Sequence, residues 1–238
     1  AAYMKKEGIR GKVIILNPSN KIAKGAAFKE AWNELYGDII EHIDFATIQD
    51  VDAETKTVTY HLKDEMADEG YVPKAVKYEV LNLIPNNMSS PVVEMSGVET
   101  TTDSFKKVAM NGCSFQTKTD KDIYAVGDVV AHGIPPSGQT ANWAGKQCAD
   151  EIAHRLHGKS FTLGVKSKSV KAGNVCYSMV GDNPEEAIMV THDFSWNGTV
   201  IKGKGHVPKD PRSGKFRSRG TASMTRNWYH GIMRDLFA

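Results

Sequence analysis

The apolar run at residues 12–16, KVIIL, constrains the fold more than any other stretch. It holds no polar residue after its first position, and turn residues bound it on both sides. Such a strand cannot keep one face in water. It suits a central parallel strand covered on both faces. Residues 28–36, FKEAWNELY, follow it. Phe28, Trp32 and Tyr36 recur at four-residue steps and share one face of a helix. FATIQDV and KTVTYHL then alternate about DAET and predict a β-hairpin. KDEMADEG reads as a solvated loop. YEVLNLIP predicts another buried strand, stopped by Pro85. Strand, helix, hairpin and strand in that order describe an α/β domain with an inserted β-meander. The opening AAYMKKEGIRG reads as the last turn of a helix with a stop at Gly11, so a preceding segment is expected.

Residues 86–118 are polar and predict loops. Residues 119–128, TDKDIYAVGD, then run a short apolar strand into Gly-Asp. A glycine there lets another group approach the backbone, because no Cβ intervenes. In an open parallel sheet ligands bind beyond the carboxyl ends of strands, where Asp128 stands. A carboxylate accepts hydrogen bonds and suits a sugar or polyol hydroxyl. Residues 137–157, SGQTANWAGKQCADEIAHRLH, predict a helix with Ser137 as N-cap and Gly158 as stop. Ala141, Gly145, Cys148, Ile152 and Leu156 form its expected inward seam. The unpaired N–H groups of its first turn favour negative charge, as on the pyrimidine edge of a reduced flavin. From about residue 166 the pattern changes. NVCYSMV and EAIMVTHDF predict antiparallel strands, and SMTRNWYHGIMRDLF an amphipathic terminal helix, together a small α+β unit.

Composition excludes more than it identifies. A formal charge of +2 over 238 residues gives no argument for nucleic acid. No apolar run approaches the roughly 18 residues of a membrane span. Cys113, Cys148 and Cys176 make no CxxC or zinc spacing. The eight histidines show no ligand pattern. Asn17 stands after KVIIL where a ribose-binding acid would be wanted, which disfavours NAD. The basic run Lys202, Lys204, Lys209, Arg212, Lys215, Arg217, Arg219 and Arg226 is opposed by Asp210 alone. It reads as a solvated loop, or as a docking surface for an acidic partner or an anionic substrate.

TDKDIYAVGD resembles the second FAD-contacting motif of the two-dinucleotide-domain flavoproteins. KVIILNPSNKIAKGAAFKEAWNELYG, LNLIPNN, IPPSGQTANWAGK, NVCYSMV and WYHGIMRDLFA, in that order, resemble the flavoprotein subunit of flavocytochrome c sulfide dehydrogenase. The resemblance implies an α/β chain: a partial two-dinucleotide-binding-domain flavoprotein fold with a C-terminal α+β interface domain. It divides the chain into 1–88 (remainder of a central nucleotide-fold domain with its β-meander), 89–163 (returning segment of the FAD domain) and 164–238 (interface domain). It implies that Gly127 and Asp128 hold the ribityl chain. Val129, Ser137 and Gly138 would face the flavin ring, with Asn142 near and Pro85 bordering the cofactor. Cys176 would supply one sulfur of a redox-active disulfide, and Trp228 would lie near the flavin on the electron exit route. Sulfide would be the substrate, FAD the cofactor, a c-type cytochrome subunit the partner and the periplasm the compartment. The family's glycine-rich loop, its flavin-attaching cysteine and its second redox cysteine belong before residue 1. FAD retention by this chain alone is therefore expected to be weak or absent. The alternatives are a sulfide:quinone oxidoreductase-like flavoenzyme, which wants an amphipathic C-terminal membrane surface, and a non-catalytic fragment without FAD.

Overall fold

The computed structural model describes residues 1–161 and 173–237. The expected domain boundary at 163/164 lies outside them. The chain forms two compact units: Ala1–Pro85 with Met179–Ile188 and Lys209–Ala222, and Asn86–Ser178 with Met189–Pro208 and Ser223–Ala238. The architecture is mixed α/β, as expected.

In the first unit helix α1, Ala2–Glu7, ends on Gly8 in the left-handed region, three residues before the expected stop at Gly11. Strand β1, Val13–Leu16, helix α2, Gly25–Tyr36, and strand β2, Ile40–Ile43, make a βαβ unit. Its strands pair in parallel from Val13↔Ile40 to Leu16↔Ile43. β1 is less covered than its apolar run predicts. Among the described residues it pairs with β2 alone, and Ile14 stays 37% exposed. Ala27 and Ala31 are the most buried residues of α2, small side chains at i and i+4 that let the helix sit close to its neighbours. Phe28 and Trp32 stack beside them, with ring centroids 5.2 Å apart.

Strands β3, Ala46–Asp52, β4, Thr57–Lys63, and β5, Tyr71–Lys77, form the antiparallel meander. Val58 and Tyr60 alternate inward, and the expected hairpin is β3–β4. YEVLNLIP is not the expected buried strand. Its first two residues touch the meander, through the Tyr78 N–H to Lys56 O and the Glu79 carboxylate to Lys56 Nζ at 3.4 Å, while Val80 and Ile84 are 90% and 78% exposed. An apolar run becomes a strand only when a neighbouring edge takes its backbone groups, and among the described residues no strand edge pairs with this one beyond Tyr78.

The basic run is partly structural. Arg217, 6% exposed, donates to Glu186 at 2.7 Å and Glu34 at 2.8 Å, and Lys215 pairs with Glu34. Burial works against the Arg217 charge, but these carboxylates raise its pKa overall. Lys202 and Lys204 remain exposed.

The second unit begins with a short helix, α3, Pro91–Met95, and then loops joined by isolated bridges, as the polar sequence predicts. Helix α4, Gly138–Leu156, follows. Strands β6, Gly173–Asp182, β7, Glu185–Trp196, and β8, Ile201–His206, form a sheet in that order, with β7 and β8 antiparallel. Helix α5, Arg219–Phe237, ends the described chain. β6, β7 and α5 each contribute residues to both units. The core of the second unit gathers Phe115, Ile134, Ala144, Cys148, Phe194 and Ile201. Trp143 meets Phe115 and Phe194 edge-on, at centroid distances of 6.0 and 5.3 Å. The buried seam of α4 is Thr140, Ala144 and Cys148. It shares Cys148 with the expected seam, and Ile152 packs on the core, but Thr140 and Ala144 replace Ala141 and Gly145, and Leu156 is exposed. Thr140 can sit inward because its hydroxyl donates to Pro135 O at 3.1 Å.

Candidate functional site

The stretch at 119–128 is irregular rather than a strand. Tyr124 alone bridges, to Gln116, and the Ala125 N–H donates to Phe115 O at 2.9 Å. Side chains take the place of a ladder. Thr117 Oγ1 donates to Asp120 O at 2.8 Å, and Asp120 Oδ1 accepts from the Asp122 N–H at 2.8 Å. Such local bonds compete with sheet pairing. Arg155 of α4 pins the stretch through Asp122 and the Tyr124 hydroxyl.

The stretch delivers Gly127 in the left-handed region, φ +85°, which glycine tolerates and other residues resist. A Cβ built on Gly127 would lie 3.8 Å from the Cβ of Ala141. The Gly-Asp turn therefore packs on the first turn of α4. Asp128 is exposed and makes no hydrogen bond or ion pair among the described residues. Val129 is half-buried, and its carbonyl accepts from the Val108 N–H at 2.8 Å.

Nine residues on, Ser137 caps α4 as expected. Its extended backbone turns Oγ toward the Thr140 N–H, 3.1 Å away. The N–H groups of Gly138 and Gln139 find no acceptor among the described residues. A Cβ built on Gly138 would meet nothing within 4 Å, so open space borders the helix tip. A free carboxylate, a glycine turn and two free N–H groups form a donor and acceptor set that fits a flavin: hydroxyls to Asp128, the anionic ring edge to the helix tip.

Three side chains from other elements fix this tip. Ser137 Oγ donates to Asn174 Oδ1 of β6 at 3.1 Å. Trp228 Nε1 of α5 donates to Gln139 Oε1 at 2.8 Å. Asn142 Nδ2 donates to Asp235 of α5 at 2.7 Å, and Lys146 reaches the same carboxylate at 2.6 Å. The bonds from Lys146 and then Asn142 hold the Asp235 pKa low. Residues 139, 142 and 146 lie on one face of α4, and 228 and 235 on one face of α5, which forms a polar seam.

Cys176 lies on β6 between Asn174, which touches the cap, and Tyr177, whose ring is 5.6 Å from that of Trp228. Alternation puts Asn174 and Cys176 on one face of the strand and Tyr177 on the other. Burial pushes the Tyr177 hydroxyl pKa up. None of Cys113, Cys148 and Cys176 is joined in a disulfide among the described residues. Cys148 is buried, and burial raises its pKa. Pro85 belongs to the first unit, exposed in the irregular stretch where a strand end was expected.

Sequence reasoning passed over His132. It lines a cavity of about 40 Å³ with Met110, Ser114, Thr199 and Ile201, and neither ring nitrogen has a hydrogen-bond partner. Burial, with Lys107 adding to it and Asp128 opposing it, lowers its pKa to about 4. Asn174, also passed over, carried no signal in the sequence beyond its place in NVCYS.

Residues 1–85 match the family model described as the central part of the sulfide dehydrogenase (flavocytochrome c) flavoprotein chain. Residues 169–237 match the flavin-binding model of flavocytochrome c sulphide dehydrogenase. Among solved structures, a chain in the cryo-EM structure of the Tetrahymena thermophila mitochondrial ATP synthase F1Fo composite tetramer is similar, with a TM-score of 0.56 and 14% identity. The likeness covers 83% of this chain and 45% of that one, and concerns the fold alone. Both family matches name the flavocytochrome c sulfide dehydrogenase, and the chain belongs to the family of its flavoprotein chain.

Proposed function

We propose that the second unit holds the ribityl and isoalloxazine end of an FAD and serves a dehydrogenase that oxidises sulfide. One observation carries the reading: the unpartnered Asp128 carboxylate and the unpartnered Gly138 and Gln139 N–H groups flank a glycine turn packed on the helix tip. When bound, FAD accepts two electrons together and gives them up singly. Asp128 accepts hydrogen bonds from the ribityl hydroxyls. Val129, Ser137 and Gly138 line the ring edge, and the tip of α4 stabilises negative charge there. Asn142, tied to Asp235, steadies that tip.

Cys176 is assigned to meet sulfide as one sulfur of a redox pair with a second cysteine. Oxidation of one hydrosulfide to zero-valent sulfur releases one proton and two electrons. Trp228, bonded to the tip through Gln139, stands on the side from which electrons leave. A c-type cytochrome subunit suits single-electron release, and an oxidising periplasm suits a cysteine pair. Exposed Lys202 and Lys204 favour the encounter with an anion. Quinone as acceptor is a second reading. Among the described residues no helix is long and apolar enough to cross a membrane, but Met233, Leu236 and Phe237 of α5 are exposed. Flotation of the chain with lipid vesicles separates the two acceptors.

The test loads the purified chain with FAD and follows visible absorbance. Asp128→Ala should weaken retention by about 1.5–3 kcal/mol, the worth of a charge-assisted hydrogen bond. Cys176→Ser should keep FAD and lose its bleaching by sulfide. Equal FAD occupancy in Asp128→Ala removes the ribityl assignment, and normal bleaching in Cys176→Ser removes the sulfur from the reaction. A chain that takes up no FAD supports the non-catalytic alternative.

A further inference from the structure

We propose that Asn174 is a positioning residue, setting the register between the sulfur of Cys176 and the tip of α4. The proposal rests on the flavin reading above. Asn174 is 5% exposed, a buried primary amide whose groups must find partners. Its oxygen accepts from Ser137 Oγ at 3.1 Å, and its nitrogen faces His192 Nδ1 of β7 at 3.5 Å. These contacts fix the amide with its oxygen toward the helix cap. Ser137 Oγ also lies 2.9 Å from Thr140 Oγ1, whose own hydrogen goes to Pro135 O, so the single Ser137 hydrogen is shared between Thr140 and Asn174.

This bond joins β6 directly to the N-cap of α4. Cys176 stands two residues on, about 6.7 Å along the same face at the usual strand rise. The amide therefore transmits the position of the sulfur's strand to the cap. Without it, the cap loses a direct hydrogen bond to the strand that carries the sulfur. A misplacement of about 1 Å between reacting groups can cost up to about a hundredfold in rate.

The experiment compares Asn174→Ala and Asn174→Asp with the parent chain. Three quantities are read: the rate of sulfide-driven flavin reduction, the flavin midpoint potential, and the alkylation rate of Cys176 by iodoacetamide, located by mass spectrometry. Asn174→Ala should slow flavin reduction about tenfold and change the alkylation rate at least about threefold. Asn174→Asp keeps the acceptor for Ser137, so both rates should return to within about threefold of the parent. Its added negative charge should also shift the midpoint potential to more negative values. Parental rates in Asn174→Ala, or an unshifted potential in Asn174→Asp, overturn the proposal. If the parent chain holds no flavin, the flavin reading fails on its own account. Alkylation then still decides the role of Asn174: a change in the alanine variant reversed in the aspartate variant supports it, and equal rates overturn it.

Discussion

Lowering the pH should destabilise this protein through His132, and the size of the effect follows from where the ring sits. The imidazole is buried beside a small cavity with neither nitrogen bonded, and its pKa falls from 6.5 to about 4. Between those values the unfolded chain binds a proton that the folded chain refuses. The neutral ring's contribution is therefore complete above pH 6.5 and is lost progressively as pH falls toward 4. At 1.36 kcal/mol per pKa unit the full shift bounds the effect at about 3.4 kcal/mol. Partial solvent contact, and a pH that stops short of the folded pKa, reduce this to about 2 kcal/mol between pH 7 and 4.5. The assay is urea unfolding of the parent and His132→Gln at both pH values. Carboxylates common to the two proteins cancel in the difference. The parent should lose about 2 kcal/mol more than the variant on acidification. Identical losses would refute the link between burial and the depressed pKa. His132 also lies in the loop from Asp128 to Ser137, so flavin release from a loaded chain should follow the same pH window and be blunted in His132→Gln.

Two further perturbations test the scaffold. Gly127→Ala should cost about 1–2 kcal/mol, because an L-residue resists φ +85° although Ala141 leaves ordinary room for its Cβ; a melting temperature equal to the parent's would contradict the left-handed turn. Arg217→Met should cost about 3 kcal/mol by leaving Glu186 without its cation, while Glu34 keeps Lys215, measured by urea midpoint at pH 7, and a loss below about 0.5 kcal/mol would place Arg217 among surface ion pairs.

What could be read beforehand was local. Ser137 and Gly158 bracket α4 because capping depends on one hydroxyl and one left-handed turn, both written in the adjoining residues. The β3–β4 hairpin and strands β6 and β7 follow from alternation. The misses depend on partners far along the chain. The carboxylates that turn Arg217 from a solvated residue into a buried one come from α2, 183 residues away, and from β7. YEVLNLIP has a strand's composition, but composition does not supply an edge to pair with. TDKDIYAVGD kept its role of delivering a glycine turn to a helix tip and lost its regular strand, because Asp120 and Thr117 offer the backbone closer partners.

The α4 tip shows a contrast that argues for a ligand. Asn174, Trp228 and Asp235 reach from two other elements to fix Ser137, Gln139 and Asn142. Each contact orders two side chains and so opposes their rotamer entropy, which a helix end in water has no need to do. At the same tip two backbone donors and the neighbouring exposed carboxylate have no protein partner among the described residues, and Gly138 keeps the space before them clear. A helix end that serves stability alone would leave its remaining donors to water and its flanks loose. Here the flanks are held, Ser137 caps the Thr140 N–H, and the Gly138 and Gln139 donors stay open. That arrangement is the one expected where the position of the donors, rather than their burial, is what the surrounding side chains maintain.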